Sequence, residues 1–269
     1  MRSLLIVGEL INTSRKAVKQ AVDEKDAASI QKLAEQQVKD GATYVDINCG
    51  TLINNEEEIL QWLVETVQSV VDVPLCIDTP NPAAMKVGLS TCKNGQTMIN
   101  SISAEKERFE TMLPLVKKYK CKVVALCMDD TGMPDLAEDR YPIIDKLAKD
   151  LVDAGISPDD VYFDPLVKPL STSNQAGLEV LATVRYIKQN YPEFHMICGM
   201  SNVSYGLPQR KLLNQAYLVQ LMTEGMDGFI LDPTEKRLMS LFYASQALLG
   251  KDNFCMNYLK AYRAERLIV

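Results

Sequence analysis

A single histidine, His195, serves the whole 269-residue chain, and none of its seven cysteines (49, 76, 92, 121, 127, 198 and 255) forms a Cys-x-x-Cys pair. This leaves no ligand set for structural zinc or an iron–sulfur cluster, so no metal site is expected. Neither GxGxxG nor GxxxxGK[ST] occurs, which removes the usual cradles for nucleotide phosphate. Long apolar runs are missing too. Leu4 to Val7 is cut short by Gly8-Glu9, too early for a signal peptide or a membrane span, and the reading is a cytoplasmic protein. A formal charge of -6, with acids and bases interspersed, provides no basic stripe for nucleic acid or an anionic membrane. Cysteines within apolar runs such as Pro74-Leu75-Cys76-Ile77 act as small hydrophobes, as a reducing compartment permits.

What is present is alternation. Short β-rich apolar runs end near Val7, Ile47, Ile77, Ile99, Met128, Phe163, Cys198 and Leu231, which makes eight candidate strands. The stretches between them carry helix periodicity: Ile30, Leu33, Ala34 and Val38; Phe109, Met112, Leu113 and Val116; Ile143, Ile144, Leu147 and Leu151. Gly41, Gly155 and Gly225 follow three of the helices and suit the left-handed position that ends a helix. Strands apolar on both faces, alternating with helices, imply right-handed crossovers and a parallel sheet. Eight such units predict a (β/α)8 TIM barrel over 1-269 as one α/β domain, with a doubly wound open sheet as the rival. Lys168 to Gly177, rich in Pro, Ser, Thr and Asn, reads as a long loop after strand six.

Function in a parallel barrel belongs to the loops at the carboxyl ends of the strands. There the sequence places Glu9 and Asn12, then Asp46 and Asn48, Asp78, Asn100-Ser101, Met128-Asp129-Asp130, Asp164, Ser201-Asn202 and Asp232. Asp, Asn and Ser also begin turns and cap helices everywhere, so each residue taken alone has that simpler reading. As a set, carboxylates and carboxamides without histidine or paired cysteines argue against metal hydrolysis, thiol chemistry and acyl transfer. They suit a flat polar heterocycle. A pterin edge pairs its amine and ring N–H groups with a carboxylate, and its carbonyl and ring nitrogens with a carboxamide.

Seven ordered motifs carry a resemblance across nearly the whole chain: Gly8-Glu9-Leu10-Ile11-Asn12, Asp46-Ile47-Asn48-Cys49-Gly50, Cys76-Ile77-Asp78, Met98-Ile99-Asn100-Ser101, Met128 with Thr131-Gly132-Met133-Pro134, Asp164-Pro165-Leu166, and Gly199-Met200-Ser201-Asn202-Val203-Ser204. In these the chain resembles the pterin-binding, corrinoid-dependent methyltransferases, whose barrel is shared with dihydropteroate synthase. The family includes methyltetrahydrofolate:corrinoid/iron–sulfur protein methyltransferase and methylcorrinoid:tetrahydrofolate methyltransferases.

The resemblance implies a methyl transfer between N5 of tetrahydrofolate and a corrinoid (cobalamin) carried by a separate corrinoid protein, with tetrahydrofolate or 5-methyltetrahydrofolate as substrate. The preferred direction is methylcorrinoid to tetrahydrofolate, as in anaerobic demethylation; the alternative is methyltetrahydrofolate to a corrinoid/iron–sulfur protein. By the same resemblance Asp78, Asn100 and Asp164 hold the pterin ring. Asn202 approaches N5 as the catalytic amide, in a network with Asp164. Gly199 and Ser201 line the pocket, Arg210 meets the benzoyl-glutamate tail, and Glu9, Asn12, Asp46, Asn48, Met128 and Tyr205 surround it. Tyr205 and Leu207 at the rim are candidates for docking the corrinoid protein, and a homodimer is implied. The family pattern has Asn-Lys at Asp129-Asp130 and a carboxamide at Tyr205, which changes pocket charge. His195 opens its predicted strand at the opposite face and reads as structural. Two readings of another class remain as expectations to be tested. One is dihydropteroate synthase-like condensation, whose Ser-Arg segment is Ser201-Asn202 here; the other is a non-catalytic binding module.

Overall fold

The computed structural model describes residues 4–52 and 55–268. Within them the alternation becomes β1 (Leu5–Asn12), α1 (Lys16–Asp23), α2 (Ala27–Asp40), β2 (Tyr44–Asn48), α3 (Glu56–Gln68), β3 (Leu75–Asp78), α4 (Pro82–Thr91), β4 (Met98–Ser103), α5 (Lys106–Tyr119), β5 (Lys122–Leu126) and α6 (Ala137–Asp153). These are followed by β6 (Val161–Asp164), α7 (Ala176–Asn190), β7 (His195–Gly199), α8 (Arg210–Glu224), β8 (Gly228–Leu231), α9 (Lys236–Leu248) and α10 (Met256–Arg263). Every strand pairs in parallel with its chain neighbour, and β8 closes on β1 through Leu5 to Gly228 and Gly8 to Leu231. The closed ring excludes the open doubly wound sheet.

Two cores hold it. Ile, Leu, Val and Met from the outer strand faces and the helices form the larger one, including Ile47, Ile77, Ile99, Leu147 and Leu221. The lumen is filled separately by Leu5, Val7, Tyr44, Cys76, Met98, Val124, Tyr162 and Ile197, so the barrel is a packed core and not a pore. Gly41 and Gly225 end α2 and α8 with φ of 121° and 119°, as their positions predict.

Three strand limits differ from the sequence reading. β1 continues past Val7 to Asn12, with an extra residue between Gly8 and Ile11 against β2. This bulge takes the Leu10 N–H out of the ladder. It donates instead to Oε1 of Gln37, fully buried on α2, 2.9 Å away. A Cβ on Gly8 would stand 2.5 Å from that same oxygen, which is why glycine precedes the bulge. β4 likewise runs past Ile99 to Ser103 through an irregularity between Asn100 and Ile102, while β5 stops at Leu126, short of Met128. The loop after β6 gives way to α7 at Ala176, so Gly177 is helical.

At the foot, a Cβ on Gly228 would meet the Met196 carbonyl oxygen at 2.9 Å and Ile197 Cβ at 3.0 Å. Both belong to the neighbouring strand and cannot rotate away. Gly228→Ala is therefore expected to cost about 1–3 kcal/mol, seen as a melting temperature several degrees below the parent in a calorimetric scan.

Candidate active site

Strand side chains alternate between faces, so the residue two places beyond a lumen residue faces the lumen again, nearer the mouth. Two places beyond Val7, Tyr44, Cys76, Met98, Tyr162 and Ile197 stand Glu9, Asp46, Asp78, Asn100, Asp164 and Gly199. The floor of the barrel mouth is thus the polar continuation of the lumen core.

β2, β3 and β4 build one cluster. Asp46 is in register with Cys76, and Asp78 with Asn100. Asn48 Nδ2 donates to Asp78 Oδ2 at 2.7 Å. Burial raises the pKa of both aspartates. At Asp46 the neighbouring Asp78 charge adds to the rise, against hydrogen bonds from Cys76 and Asn100. At Asp78 the Asn48 bond and the Arg108 charge oppose it. Asp46 Oδ1 is buried and has no hydrogen-bond partner among the described residues. Such an atom costs free energy until a donor reaches it. Arg108, from α5, is fixed by Nε to the Ser101 carbonyl and Nη2 to Ser101 Oγ, both at 3.1 Å.

Asp164 stands apart on β6, buried, its Oδ1 accepting the Leu166 amide at 2.8 Å. Burial pushes its carboxyl up to about 7, against the Leu166 bond and the charge of Arg140. The ordinary carboxyl value is 3.8, so between about pH 4 and 7 the folded chain retains a proton that the unfolded chain has released. Stability therefore falls as pH rises through that window, by on the order of 4 kcal/mol from this group. Asp164→Asn keeps an oxygen for Leu166 and should flatten that part of the slope in denaturant titrations across the window. Glu9, also raised to about 7, preserves a remainder.

The third group lies over β7, β8 and β1. Met200–Ser204 forms a 3-10 turn that carries Asn202 exposed at the rim. A Cβ on Gly199 would sit 3.6 Å from Asn202 Nδ2, an ordinary van der Waals contact, which places this amide directly over the end of β7. Arg210, the first residue of α8, clasps the turn: Nη2 donates to the Ser201 carbonyl at 2.8 Å and Nε to Ser204 Oγ at 3.0 Å. Beside it a cavity of about 320 Å³ is bordered by Glu9, Arg15, Ser201, Arg210, Lys211 and Asp232, among others. Burial raises Glu9 to about 7, opposed first by Arg15, whose Nη2 is 3.3 Å from Glu9 Oε1.

The turn-forming reading and the site reading are both realised, in the same residues. Asn12, Asn48, Asp129, Asp164 and Asp232 each accept an amide two residues on through Oδ1. In Asn48 the remaining atom, Nδ2, serves the cluster. Met128 lies just beyond β5, its carbonyl accepting the Ala104 amide, and Tyr205 is exposed at the rim while Leu207 is half-buried. Arg15, Arg108, Arg140 and Lys211 were not singled out from sequence. Only Arg140 carried a signal: it occupies the apolar stripe of α6 with Ile143, Ile144 and Leu147, and it is almost fully buried. His195 sits at the foot, where Nδ1 meets Asp227 at 2.6 Å and Nε2 meets Asp159 at 3.0 Å, away from all of these groups.

No helix among the described residues is long and apolar enough to cross a membrane. Over 266 residues the chain is 36% identical to methylcorrinoid:tetrahydrofolate methyltransferase of Eubacterium limosum, covering 98% of each. It is 26% identical over 241 residues to methionine synthase of Mycobacterium tuberculosis, matching 85% of this chain but only 20% of that longer protein. Dihydropteroate synthases share the fold: the Yersinia pestis enzyme with a sulfonamide drug gives a TM-score of 0.69 at 18% identity, over 91% of this chain and 95% of that one. A dihydropteroate synthetase with product gives 0.66 at 19%, over 93% and 94%. The family model described as pterin binding enzyme matches residues 8–232, from the β1 bulge to the end of the β8 mouth, and the chain belongs to that family.

Proposed function

We propose that this chain is a methyltransferase that moves a methyl group between a corrinoid and N5 of tetrahydrofolate, in the direction methylcorrinoid to tetrahydrofolate. The observation that carries this reading is the end-to-end likeness to a methylcorrinoid:tetrahydrofolate methyltransferase, with 36% identity over 98% of both chains. The donor set supports it. A pterin ring offers several N–H donors on one edge, and the mouth offers Asp78, Asp164 and the unpartnered Asp46 Oδ1 as acceptors, with Asn100 for a carbonyl or ring nitrogen. In this reading 1–269 acts as one pterin-binding domain.

The corrinoid supplies an electrophilic methyl group and keeps the electron pair of the cobalt–carbon bond. Asp78, Asn100 and Asp164 fix the pterin plane, and Asn48 and Arg108 hold Asp78 and the Ser101 backbone in place. N5 then forms the new bond to carbon, and its proton leaves to solvent. Asn202 serves both directions: its oxygen accepts N5–H as the nitrogen gains positive charge, and its amide donates to N5 when the methyl group departs. The exposed rim that carries Asn202 and Tyr205 leaves the mouth open to a bulky corrinoid held by a separate protein. Arg210, with Arg15 and Lys211 beside it, supplies cations for the carboxylates of the benzoyl-glutamate tail.

The test is anaerobic. Purified protein, free methylcob(III)alamin and tetrahydrofolate are mixed and the cobalamin spectrum is followed. Conversion to cob(I)alamin with formation of methyltetrahydrofolate is the expected result. Folate binding without turnover in either direction, with the native corrinoid protein also supplied, would leave a binding module and sink the proposal. Condensation of a pterin with an arylamine would point instead to dihydropteroate synthase chemistry.

A further inference from the structure

The cavity beside Arg210 is charge-balanced before any ligand enters it. Three acids, Glu9, Asp232 and Glu235, and three bases, Arg15, Arg210 and Lys211, line it. A benzoyl-glutamate tail brings two more carboxylates into this space. A carboxylate confined beside others of like sign needs a cation or a proton to compensate it. The bases can serve the tail only by turning from the acids they now neutralise, so one of those acids must lose its charge.

Two of the three acids are committed as acceptors. Asp232 Oδ1 accepts the Thr234 amide at 2.9 Å and the Thr234 hydroxyl at 2.6 Å, which closes the turn after β8. Glu235 Oε1 accepts Gln215 Nε2 at 2.9 Å and the Leu238 amide at 3.3 Å, which caps α9. A proton on either carboxyl would weaken bonds that hold the backbone. Glu9 has no such duty. Among the described residues its carboxylate meets only Arg15, whose Nη2 lies 3.3 Å from Oε1. The Glu9 side chain is 22% exposed on its strand, whereas that of Arg15, on the loop before α1, is 44% exposed and lines the same cavity. An ion pair of this kind contributes little to stability, so exchanging its cation costs the fold little.

The surroundings of Glu9 favour a proton once Arg15 turns to a ligand. Burial raises its carboxyl to about 7 and Asp232 adds to the rise, while Arg15 and then Arg210 oppose it. Asp46 on β2 is a further acid within reach of its charge. A tail carboxylate that draws Arg15 and Arg210 to itself removes that opposition and adds a negative charge. We propose, on the tail-binding reading above, that Glu9 is the specificity-determining residue of this cavity: as the glutamate enters, Arg15 passes from Glu9 to a tail carboxylate, and Glu9 takes a proton from solvent in its place. One cation moves from the protein's acid to the ligand's, and one proton replaces it. Preference for a pterin with an acidic tail over one without therefore weakens as the pH rises above about 7.

The test compares tetrahydrofolate with 6-methyltetrahydropterin, which carries the ring without the tail, under anaerobic conditions. Both ligands meet Asp46, Asp78 and Asp164, so proton changes at the ring acceptors cancel in the difference. Titration calorimetry at about pH 8, in two buffers of different ionisation enthalpy, should show tetrahydrofolate taking up close to one proton more than the tetrahydropterin. Its affinity relative to the tetrahydropterin should fall by about tenfold per pH unit from there. Glu9→Gln should abolish both the extra proton and the pH dependence of that ratio. Arg15→Gln, at an exposed position, should move the onset to higher pH, because Glu9 then keeps its proton in the empty cavity. Equal proton uptake by the two ligands, or an extra proton that persists in Glu9→Gln, overturns the inference and leaves the transferase reading intact. Should Glu9→Gln not fold, an unchanged onset in Arg15→Gln overturns it alone. A parent that binds neither ligand overturns the reading of the site and the inference together.

Discussion

Asn202→Ala is expected to lower the rate of methyl transfer by about 10²–10³, a barrier increase of ~3–4 kcal/mol, while tetrahydrofolate binds almost as tightly as before. The asymmetry follows from where the residue stands. Asn202 is exposed on the 3-10 turn and takes no part in the buried acid–amide cluster, so its loss leaves the ring acceptors on β2, β3, β4 and β6 intact. The turn itself is held by Arg210 on the Ser201 carbonyl and Ser204 Oγ, and by the bond from the Leu170 amide to the Val203 carbonyl, all independent of the Asn202 side chain. The variant should therefore fold normally. Removing its amide acts on the step in which charge changes at N5, which is the signature of an interaction made mainly in the transition state. Single-turnover absorbance changes at cobalt, beside a folate-binding isotherm, would separate the two effects. A variant with full rate, or one that loses folate affinity by the same factor as rate, would remove Asn202 from the role at N5.

The eight strands were legible because each is apolar on both faces, and the helices because their stripes repeat. Closure of the ring was not legible, since no local pattern announces that Leu5 pairs with Gly228. Strand ends are obscured where function intrudes: Glu9 and Asn12 in β1, and Ser101 and Ser103 in β4, look like loop residues although they lie within the strands. The Gly8 bulge depends on Gln37 of α2, which lies at helical spacing from Ile30, Leu33 and Ala34 and so on the buried face, although its polar side chain alone would suggest the surface. The mouth residues themselves are visible as strand-end polar residues, but what joins Glu9, Asp46, Asp78, Asn100 and Asp164 is strand register, which no local pattern fixes. Each is the next lumen-facing position above a lumen-filling one, as Asp46 above Tyr44 and Asp164 above Tyr162. The cations around them were hidden, because Arg108 resembles any solvated helix residue until the fold half-buries it, and Arg15 and Lys211 remain exposed beside the cavity like many surface cations.

Asp78→Asn should move stability and function in opposite directions. Asp46 and Asp78 are two carboxyls in one buried cluster, and burial raises the pKa of both, the charge of Asp78 raising Asp46 further. A carboxyl raised in the folded state contributes stability while protonated and loses it as pH climbs from the ordinary value of 3.8 through the raised one. An amide at 78 carries no proton to lose, and its oxygen still accepts Asn48 Nδ2, now 2.7 Å from Asp78 Oδ2. The variant should therefore melt higher than the parent at pH 8, with the advantage shrinking toward pH 4. Folate binding should move the other way. A carboxylate that accepts two pterin N–H groups is replaced by a side chain with one acceptor and one donor, so one contact is lost and another becomes donor against donor. At about 1.5–3 kcal/mol for each charged hydrogen bond, the dissociation constant for tetrahydrofolate should rise by about 10²–10⁴. Calorimetric melts and equilibrium binding at the same pH measure both signs on one preparation. If the variant bound folate normally, Asp78 would not be a ring acceptor; if it melted lower at pH 8, the aspartate would be contributing more to the empty fold than its burial costs. The two results are separable because Asp164, on the far side of the mouth, retains its carboxylate in either case.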